Sequence, residues 1–315
     1  MSVRMILWVG LAGGWFAAVN PRRSWSVGES GKPPTLVPFA GERKPARDCG
    51  ARNHRDFPHL GTNHNGIGKV YRRAGVRPCR VRGERSWTLP RTSAQAVAEL
   101  AFGLLLSLLR RIHRADPWVR AGDWVKAGRA LPEWASGQEL WRKTLGVIGL
   151  GQIGGRVVRI AKGFDMKIVG YDPFMKPELY ARLGVEPASL AELLSRSDII
   201  TIHVPLTSDT ERLINSGVLA GIKPGAVLVN TSRGKVIEEK ALIEALQTGR
   251  IRGAALDVFS VEPLPPGHPL SRLEKVILSP HMGALTEEAG DRLSDSVARQ
   301  VRDILEGRPP ECLIS

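Results

Sequence analysis

The sequence predicts an α/β fold built on a doubly wound parallel sheet, and three observations support this prediction. Residues 145–172 run in the order strand, glycine-rich turn, helix, strand, which is the order of a dinucleotide-binding βαβ unit. After residue 172, short apolar runs alternate with segments of helical periodicity. Charged residues then follow several of these runs, where parallel sheets bind their ligands.

The glycine-rich turn is Gly-Leu-Gly-Gln-Ile-Gly at residues 149–154, directly after the apolar run 145–148. In such a motif the first glycine makes a tight turn, and the second lets the main chain approach a pyrophosphate. The third glycine lets the following helix, predicted at 156–162, pack closely on the strand. The motif therefore predicts a dinucleotide site at the N-terminus of a helix, where N–H groups face the phosphates.

Asp172 ends the next predicted strand, 167–171, and lies 18 residues after Gly154. A carboxylate at this point accepts hydrogen bonds from both hydroxyls of an adenosine ribose and repels a 2′-phosphate. We therefore expect NAD rather than NADP as the cofactor. An ordinary βαβ unit without a nucleotide is the alternative, but the ordered combination of strand, motif, helix, strand and acid favours the NAD site.

The remaining elements continue the same alternation. Further helices are predicted at 94–111, 190–196, 213–220, 238–247 and 287–305, and further strands at 198–204, 226–230, 252–258 and 275–279. The helix at 94–111 has more apolar residues than one lobe needs, which favours a homodimer. Residues 115–141 carry four tryptophans and are predicted to form a loop and a short helix.

Three charged residues follow predicted strands: Arg233, Glu262 and His281. Each alone has an ordinary interpretation, as a surface cation, a solvated acid or a loop histidine. Together on one edge of the sheet they predict hydride-transfer chemistry on a hydroxy acid. Histidine exchanges a proton near neutral pH, and arginine offers two parallel donors to a carboxylate.

Several motifs then identify a family resemblance. They are GLGQIG (149–154), HVPLT (203–207), LVNTSRG (228–234), ALDVFSVEP (255–263) and SPHMGA (279–284). In this order they resemble the D-isomer-specific 2-hydroxyacid dehydrogenase family, nearest to its phosphoglycerate dehydrogenase branch without the regulatory domain. The resemblance covers about residues 60–310 and is dense from residue 93 onward.

The resemblance implies a role for each motif residue. Arg233 binds and orients the substrate, His281 is the general acid and base, and Glu262 is the partner of His281. Asp257 binds the carboxamide side of the nicotinamide. The residues implied in the cofactor cleft are Gly149, Gly151, Gln152, Ile153, Gly154, Asp172, Val204, Pro205, Thr210, Thr231, Ser232, Asp257, Gly283 and Ala284.

The family's second lobe binds substrate and is discontinuous in sequence. We expect it to comprise 1–92 with 285–315, around a dinucleotide-binding domain at 93–284. Thr62 and Asn63 lie in GTNHNGI, which resembles the loop that holds the substrate carboxylate. Upstream of residue 60 no resemblance is found, so the lobe is predicted to be incomplete, through either a frame disturbance in the coding sequence or degeneration. We favour the frame disturbance and expect the chain to bind NAD but to turn over poorly.

Charge and cysteine content restrict the other classes. Residues 1–92 hold 17 Lys and Arg against 5 Asp and Glu, so most of the net charge of +14 lies there. A nucleic-acid-binding arm would explain this excess, but we favour a mis-specified segment and expect no nucleic-acid partner. Three widely spaced cysteines predict neither disulfides nor a metal site. The apolar run 5–19 resembles a signal-peptide core, yet an intracellular cofactor favours the cytoplasm; residues 100–109 are too short to cross a membrane.

These observations predict an NAD-dependent oxidoreductase that acts on a D-2-hydroxy acid, namely 3-phosphoglycerate or a glycerate- or glyoxylate-like acid. Its partners would be a small 2-hydroxy or 2-keto acid and a second copy of the chain. The alternative is a catalytically weak, NAD-sensing interaction protein on the same fold, of the corepressor type. Loss of turnover in His281→Ala would distinguish the enzyme from the sensor, which would keep its NAD-dependent partner.

Overall fold

A computed structural model describes residues 86–87, 92–308 and 313–314. The predictions for the N-terminal lobe, including Thr62 and Asn63, therefore lie outside the described residues. The described strands are β1 (Ser86–Trp87), β2 (Thr144–Ile148), β3 (Lys167–Tyr171), β4 (Glu186–Pro187), β5 (Ile199–Ile202), β6 (Ala226–Asn230), β7 (Ile251–Leu256), β8 (Val276–Leu278) and β9 (Leu313–Ile314). The described α-helices are α1 (Ala94–Leu109), α2 (Ile112–Arg120), α3 (Asp123–Lys126), α4 (Gln152–Lys162), α5 (Pro177–Leu183), α6 (Leu190–Arg196), α7 (Ser216–Ala220), α8 (Glu239–Gln247) and α9 (Glu287–Leu305).

Seven of these strands form one parallel sheet in the order β4-β3-β2-β5-β6-β7-β8. The strand order runs outward in both directions from β2 and β5, so these two strands flank the topological switch point at which such sheets bind ligands. This arrangement confirms the predicted doubly wound α/β fold. The strands β1 and β9 form a separate antiparallel pair.

The sheet is covered on both faces because successive residues of its strands point to opposite sides. On one face, Leu145 and Val147 of β2 join an apolar cluster that includes α1 and α4. On the other face, Ile148 joins a cluster that includes α6 and α8. The strands are buried on both faces, which explains why they appear in the sequence as continuous apolar runs.

Helix α1 lies within this core. Ten of its 16 residues are buried, and it packs against α4, β6, β7 and β8. Most of the apolar stripe is therefore covered within the chain, as core packing requires. The homodimer favoured from this helix stays a prediction.

Two differences from the predicted elements have clear physical causes. The helix expected at 213–220 begins only at Ser216, because Asn215 caps it by accepting the Val218 N–H at 3.1 Å. Residue Ile214, before this cap, instead forms a β-bridge with Ile237. Helix α5 and the edge strand β4 were not predicted, because a two-residue strand ending in proline has no periodicity.

None of the described helices is both long and apolar enough to cross a bilayer.

Candidate active site

The glycine turn between β2 and α4 lies at the switch point. Gly149 has φ +88°, and a Cβ built on it would lie 2.8 Å from Val204 Cγ1 and 2.9 Å from the His203 carbonyl oxygen. A Cβ on Gly154, in the first turn of α4, would lie 2.0 Å from the Gly149 oxygen. Gly151 is the exposed N-cap of α4. The first and third glycines therefore allow the turn to pack closely against the segment 203–204 and against its own main chain, which a side chain would prevent.

Asp172 follows β3 directly and faces this turn. Its Oδ2 accepts the Leu150 N–H at 2.9 Å, and its Oδ1 accepts the Phe174 N–H at 3.0 Å. Both carboxylate oxygens are thus fixed by main-chain donors, and each retains acceptor capacity for a ribose hydroxyl.

The loop after β5 lies across the switch point from Asp172. Thr210 Oγ1 donates to the Pro205 carbonyl at 2.5 Å and accepts the Thr207 N–H at 2.8 Å, so it closes the turn that follows Val204. Val204 packs against the main chain of Gly149. These contacts bring the predicted residues after β5 next to the glycine turn.

His203 begins this loop and was not assigned a role from the sequence. Its Nε2 lies 2.8 Å from Thr201 Oγ1, while its Nδ1 is buried without a partner among the described residues. Burial lowers the pKa of the His203 imidazole to about 3, so this ring is neutral at physiological pH. In the sequence, only its position as a polar residue at the end of a buried strand indicated that His203 could be a site residue.

Arg233, Glu262 and His281 follow three adjacent strands, β6, β7 and β8. In the sheet register, Leu256 pairs with both Asn230 and Leu278. The carboxyl ends of these strands are therefore level, and the three segments leave the sheet at the same edge.

The Glu262 carboxylate and the His281 imidazole are in direct contact. Glu262 Oε2 lies 2.8 Å from His281 Nδ1, and Glu262 Oε1 accepts the Phe259 N–H at 2.9 Å. The two side chains are 36% and 39% exposed. When Nδ1 carries the proton and donates to Glu262, the lone pair on Nε2 is available to a substrate.

Arg233 is exposed and is held by a small polar network. The Asn230 side chain accepts the Ser232 N–H and hydroxyl at 3.0 and 2.7 Å and donates to the Arg233 carbonyl at 3.1 Å. A Cβ on Gly234 would lie 1.9 Å from the Phe259 carbonyl carbon. The Arg233 loop therefore packs directly on the turn that holds Glu262.

Asp257 is 1% exposed and holds the loop that carries His281. Its carboxylate accepts the Ser279 hydroxyl at 2.6 Å and the Met282 and Gly283 N–H groups at 3.0 and 2.9 Å. These bonds support His281 in a left-handed conformation, with φ +53°, which is uncommon for a residue with a side chain. The nicotinamide contact implied for Asp257 stays a prediction.

The described residues fit a bound dinucleotide. The glycine turn leads into the N-terminus of α4, and Asp172 presents a fixed carboxylate beside it. The Thr231 hydroxyl, between β6 and Arg233, is buried without a partner in the described part of the chain. No cluster of metal-ligating side chains occurs within 86–87, 92–308 and 313–314.

Comparisons with known proteins match the same region. The family described as "D-isomer specific 2-hydroxyacid dehydrogenase, NAD binding domain" matches residues 102–283. A glyoxylate reductase of Korarchaeum cryptofilum is 40% identical over 245 residues, which are 78% of this chain and 73% of that protein. A D-3-phosphoglycerate dehydrogenase of Methanocaldococcus jannaschii is 45% identical over 227 residues, covering 72% of this chain and 42% of that protein.

A solved structure with bound cofactor is also similar. The D-lactate dehydrogenase of Lactobacillus jensenii with NAD+ has a TM-score of 0.65 and 26% identity, and the match covers 81% of this chain and 76% of that one. The names of these proteins are those of reductases and dehydrogenases, which does not favour the NAD-sensing alternative.

Proposed function

Because this chain belongs to the D-isomer-specific 2-hydroxyacid dehydrogenase family, we propose that it catalyses NAD-dependent hydride transfer to and from a D-2-hydroxy acid. The observation that carries the proposal is the 2.8 Å contact between Glu262 and His281 at the edge of the sheet. A histidine oriented by a carboxylate, beside a dinucleotide cleft, is the arrangement that a reversible alcohol oxidation requires.

In the direction of oxidation, His281 Nε2 accepts the proton of the substrate hydroxyl. The hydride leaves the carbon that bears this hydroxyl. Glu262 stabilises the imidazolium that forms. Arg233 binds the carboxylate of the substrate and polarises the developing carbonyl. NAD, when bound, supplies the nicotinamide carbon that accepts the hydride. In the direction of reduction, the same imidazolium returns its proton to the carbonyl oxygen.

Selectivity for NAD in this proposal depends on Asp172. Its fixed carboxylate beside Leu150 suits the two ribose hydroxyls and opposes a 2′-phosphate. The glycine turn and α4 bind the pyrophosphate. The remaining cleft residues are Gln152, Ile153, Val204, Pro205, Thr210, Thr231, Ser232, Asp257, Gly283 and Ala284.

For the substrate we propose 3-phosphoglycerate or a smaller acid of the glycerate and glyoxylate type, with Thr62 and Asn63 completing the carboxylate site. The names of the relatives support small 2-hydroxy acids. In the proposed domain organisation, residues 93–284 bind the dinucleotide, and 1–92 with 285–315 form the substrate lobe. The expected weak turnover depends on residues 1–60, which lie outside the described residues, and it stays a prediction. We also propose a cytoplasmic location, because NAD is an intracellular cofactor.

A homodimer is the proposed assembly, and the surface around α2 and α3 supports it. Val125 is 82% and Leu131 70% exposed. Leu131 also lines an apolar depression of about 180 Å³ with Trp118, Trp124 and Trp134. Exposed apolar patches of this kind are typical of interfaces. Leu131→Asp is expected to halve the mass measured by light scattering, and an unchanged dimer mass would exclude this surface.

The activity is tested with His281→Gln. Because proton transfer by a positioned side chain contributes roughly 10²–10⁴-fold, the rate of glyoxylate reduction by NADH is expected to fall by about that factor. The Kd for NADH, measured separately, should change little. Enzyme in excess over NADH makes a slow wild-type turnover measurable.

The control is His113→Gln, since His113 lies on α2 and its Nδ1 contacts the Ser107 carbonyl. A His281→Gln variant that reduces glyoxylate as fast as His113→Gln would refute the proposed role of His281.

A further inference from the structure

Asp172 lies just beyond the hydrogen-bonded part of the sheet. The pairing of β2 with β3 ends at Ile148 and Tyr171, and the pairing of β3 with β4 ends at Gly170 and Pro187. The main chain of Asp172 has therefore left both ladders. A residue in this position needs other partners for its N–H and C=O groups.

The phenol of Tyr180, on α5, partners both of these groups. The Asp172 N–H donates to Tyr180 Oη at 2.9 Å, and the same hydroxyl donates to the Asp172 carbonyl at 3.0 Å. The Asp172 carbonyl also accepts the Met175 N–H at 3.2 Å. One tyrosine hydroxyl thus takes the place that a neighbouring strand would have in the sheet.

Tyr180 is itself fixed by the core. It is 7% exposed and belongs to the apolar cluster around α1 and α4. Its ring lies on β3, where a Cβ on Gly170 would be 3.4 Å from Tyr180 Cε1. Burial raises the pKa of the Tyr180 phenol, so the hydroxyl keeps its proton and donates throughout the neutral range.

The main chain of Asp172 determines where its carboxylate lies. Since Oδ1 accepts from Phe174 and Oδ2 from Leu150, the carboxylate bridges the end of β3 and the glycine turn. A shift of the main chain would break these bonds and allow the carboxylate to turn away from the turn. The position of the acid therefore depends on the buried hydroxyl behind it.

We propose that Tyr180 is a positioning residue for cofactor selectivity, which keeps the Asp172 carboxylate where it binds the ribose hydroxyls of NAD and repels the 2′-phosphate of NADP. The inference rests on the proposed function, in which Asp172 contacts the adenosine ribose. It assigns the preference for NAD to a pair of residues, one at the cleft and one in the core.

The variant Tyr180→Phe tests the proposal because it removes the hydroxyl and keeps the ring. The Kd values for NADH, NADPH and reduced nicotinamide mononucleotide are measured by titration calorimetry. The loss of a buried hydrogen bond predicts a Kd for NADH raised roughly 3- to 10-fold. The Kd for NADPH should stay constant or fall, and the mononucleotide, which lacks the adenosine ribose, should bind as to wild type.

Two controls make the result specific. Tyr171→Phe removes a hydroxyl from the residue that precedes Asp172. This variant is expected to leave the ratio of the NADPH to the NADH dissociation constant unchanged. Asp172→Asn is expected to remove the selectivity by itself, so adding Tyr180→Phe to it should not lower this ratio further. A thermal melt of each variant reports stability separately from selectivity.

The outcomes separate the inference from the proposed function. A Tyr180→Phe protein with the wild-type ratio would overturn the inference even with a lower melting temperature, because Tyr180 would then only stabilise the fold. Fully additive effects of the two substitutions would overturn it as well. A wild-type protein that binds neither dinucleotide would instead refute the proposed function on which the inference rests.

Discussion

Replacing Glu262 with glutamine tests the acid–base pair most directly. The carboxylate has one oxygen for the Phe259 N–H and another for His281 Nδ1, whereas an amide has a single oxygen. The variant must give up one contact, and in either case the imidazolium loses its negative partner. A hydrogen bond to a charged group contributes about 1.5–3 kcal/mol. Because the two side chains are 36% and 39% exposed, we expect the lower end, about 1.5–2 kcal/mol, which corresponds to a kcat lowered roughly 10- to 30-fold.

The assay is oxidation of D-glycerate by NAD, the direction in which the imidazolium forms, followed through the appearance of NADH absorbance. The KM for D-glycerate should change little, because the contact strengthens when the imidazolium forms and not when substrate binds. Glu244→Gln removes a carboxylate from the exposed side of α8 and serves as the matched control. A Glu262→Gln kcat within twofold of that control would show that the carboxylate contributes nothing to proton transfer.

Three further predictions concern single side chains. Arg233→Lys keeps the charge but loses the paired donors, so the KM for the keto acid should rise roughly 10- to 100-fold. The control Arg252→Lys, on the exposed side of β7, should leave this KM unchanged. Equal KM values for the two variants would exclude substrate binding by Arg233. Gly154→Ala places a methyl 2.0 Å from a main-chain oxygen and should lower the free energy of unfolding in urea by at least about 1 kcal/mol. The control Gly155→Ala has nothing within 4 Å of its Cβ and should not destabilise the protein. Similar urea midpoints for the two variants would contradict the close packing at Gly154. The His203 pKa is lowered to about 3 in the folded chain. Below pH 6.5 the unfolded chain therefore binds a proton that the folded chain does not. As the pH is lowered in this range, the free energy of unfolding should fall by about 1.4 kcal/mol per pH unit. His203→Gln should flatten this slope between pH 6.5 and 4, and an unchanged slope would mean that the imidazole titrates normally.

The sequence was most informative where local pattern and buried position coincide. The strand β3 and the helix α6 have their predicted bounds, because an apolar run or an amphipathic turn marks both ends. The place of Asp172 directly after β3 and beside the glycine turn followed from its distance to the glycine motif, while its contact with a ribose stays a prediction. Strand β4 and helix α5 could not be found, since neither has a repeat long enough to detect.

The sequence was least informative about contacts between distant segments. Asn230 and Ser279 stand in quoted motifs, but their partners become visible only when the strand order and register are known. The role of Tyr180 depends on its hydroxyl reaching β3, which no periodicity reports. The apolar residues of helix α1 pack on the sheet, which periodicity alone could not distinguish from packing on a second copy.

The contact between Gly234 and Phe259 has a consequence for engineering. Residues 230–234 and 257–262 come from different strands, yet their main chains leave no room for an intervening methyl. A chimera that exchanges one of these loops for a homologous loop must therefore take both as a single cassette. Exchanging either loop alone would pack a foreign main chain against the unchanged loop. The Arg233 guanidinium would then be misplaced relative to the His281 imidazole.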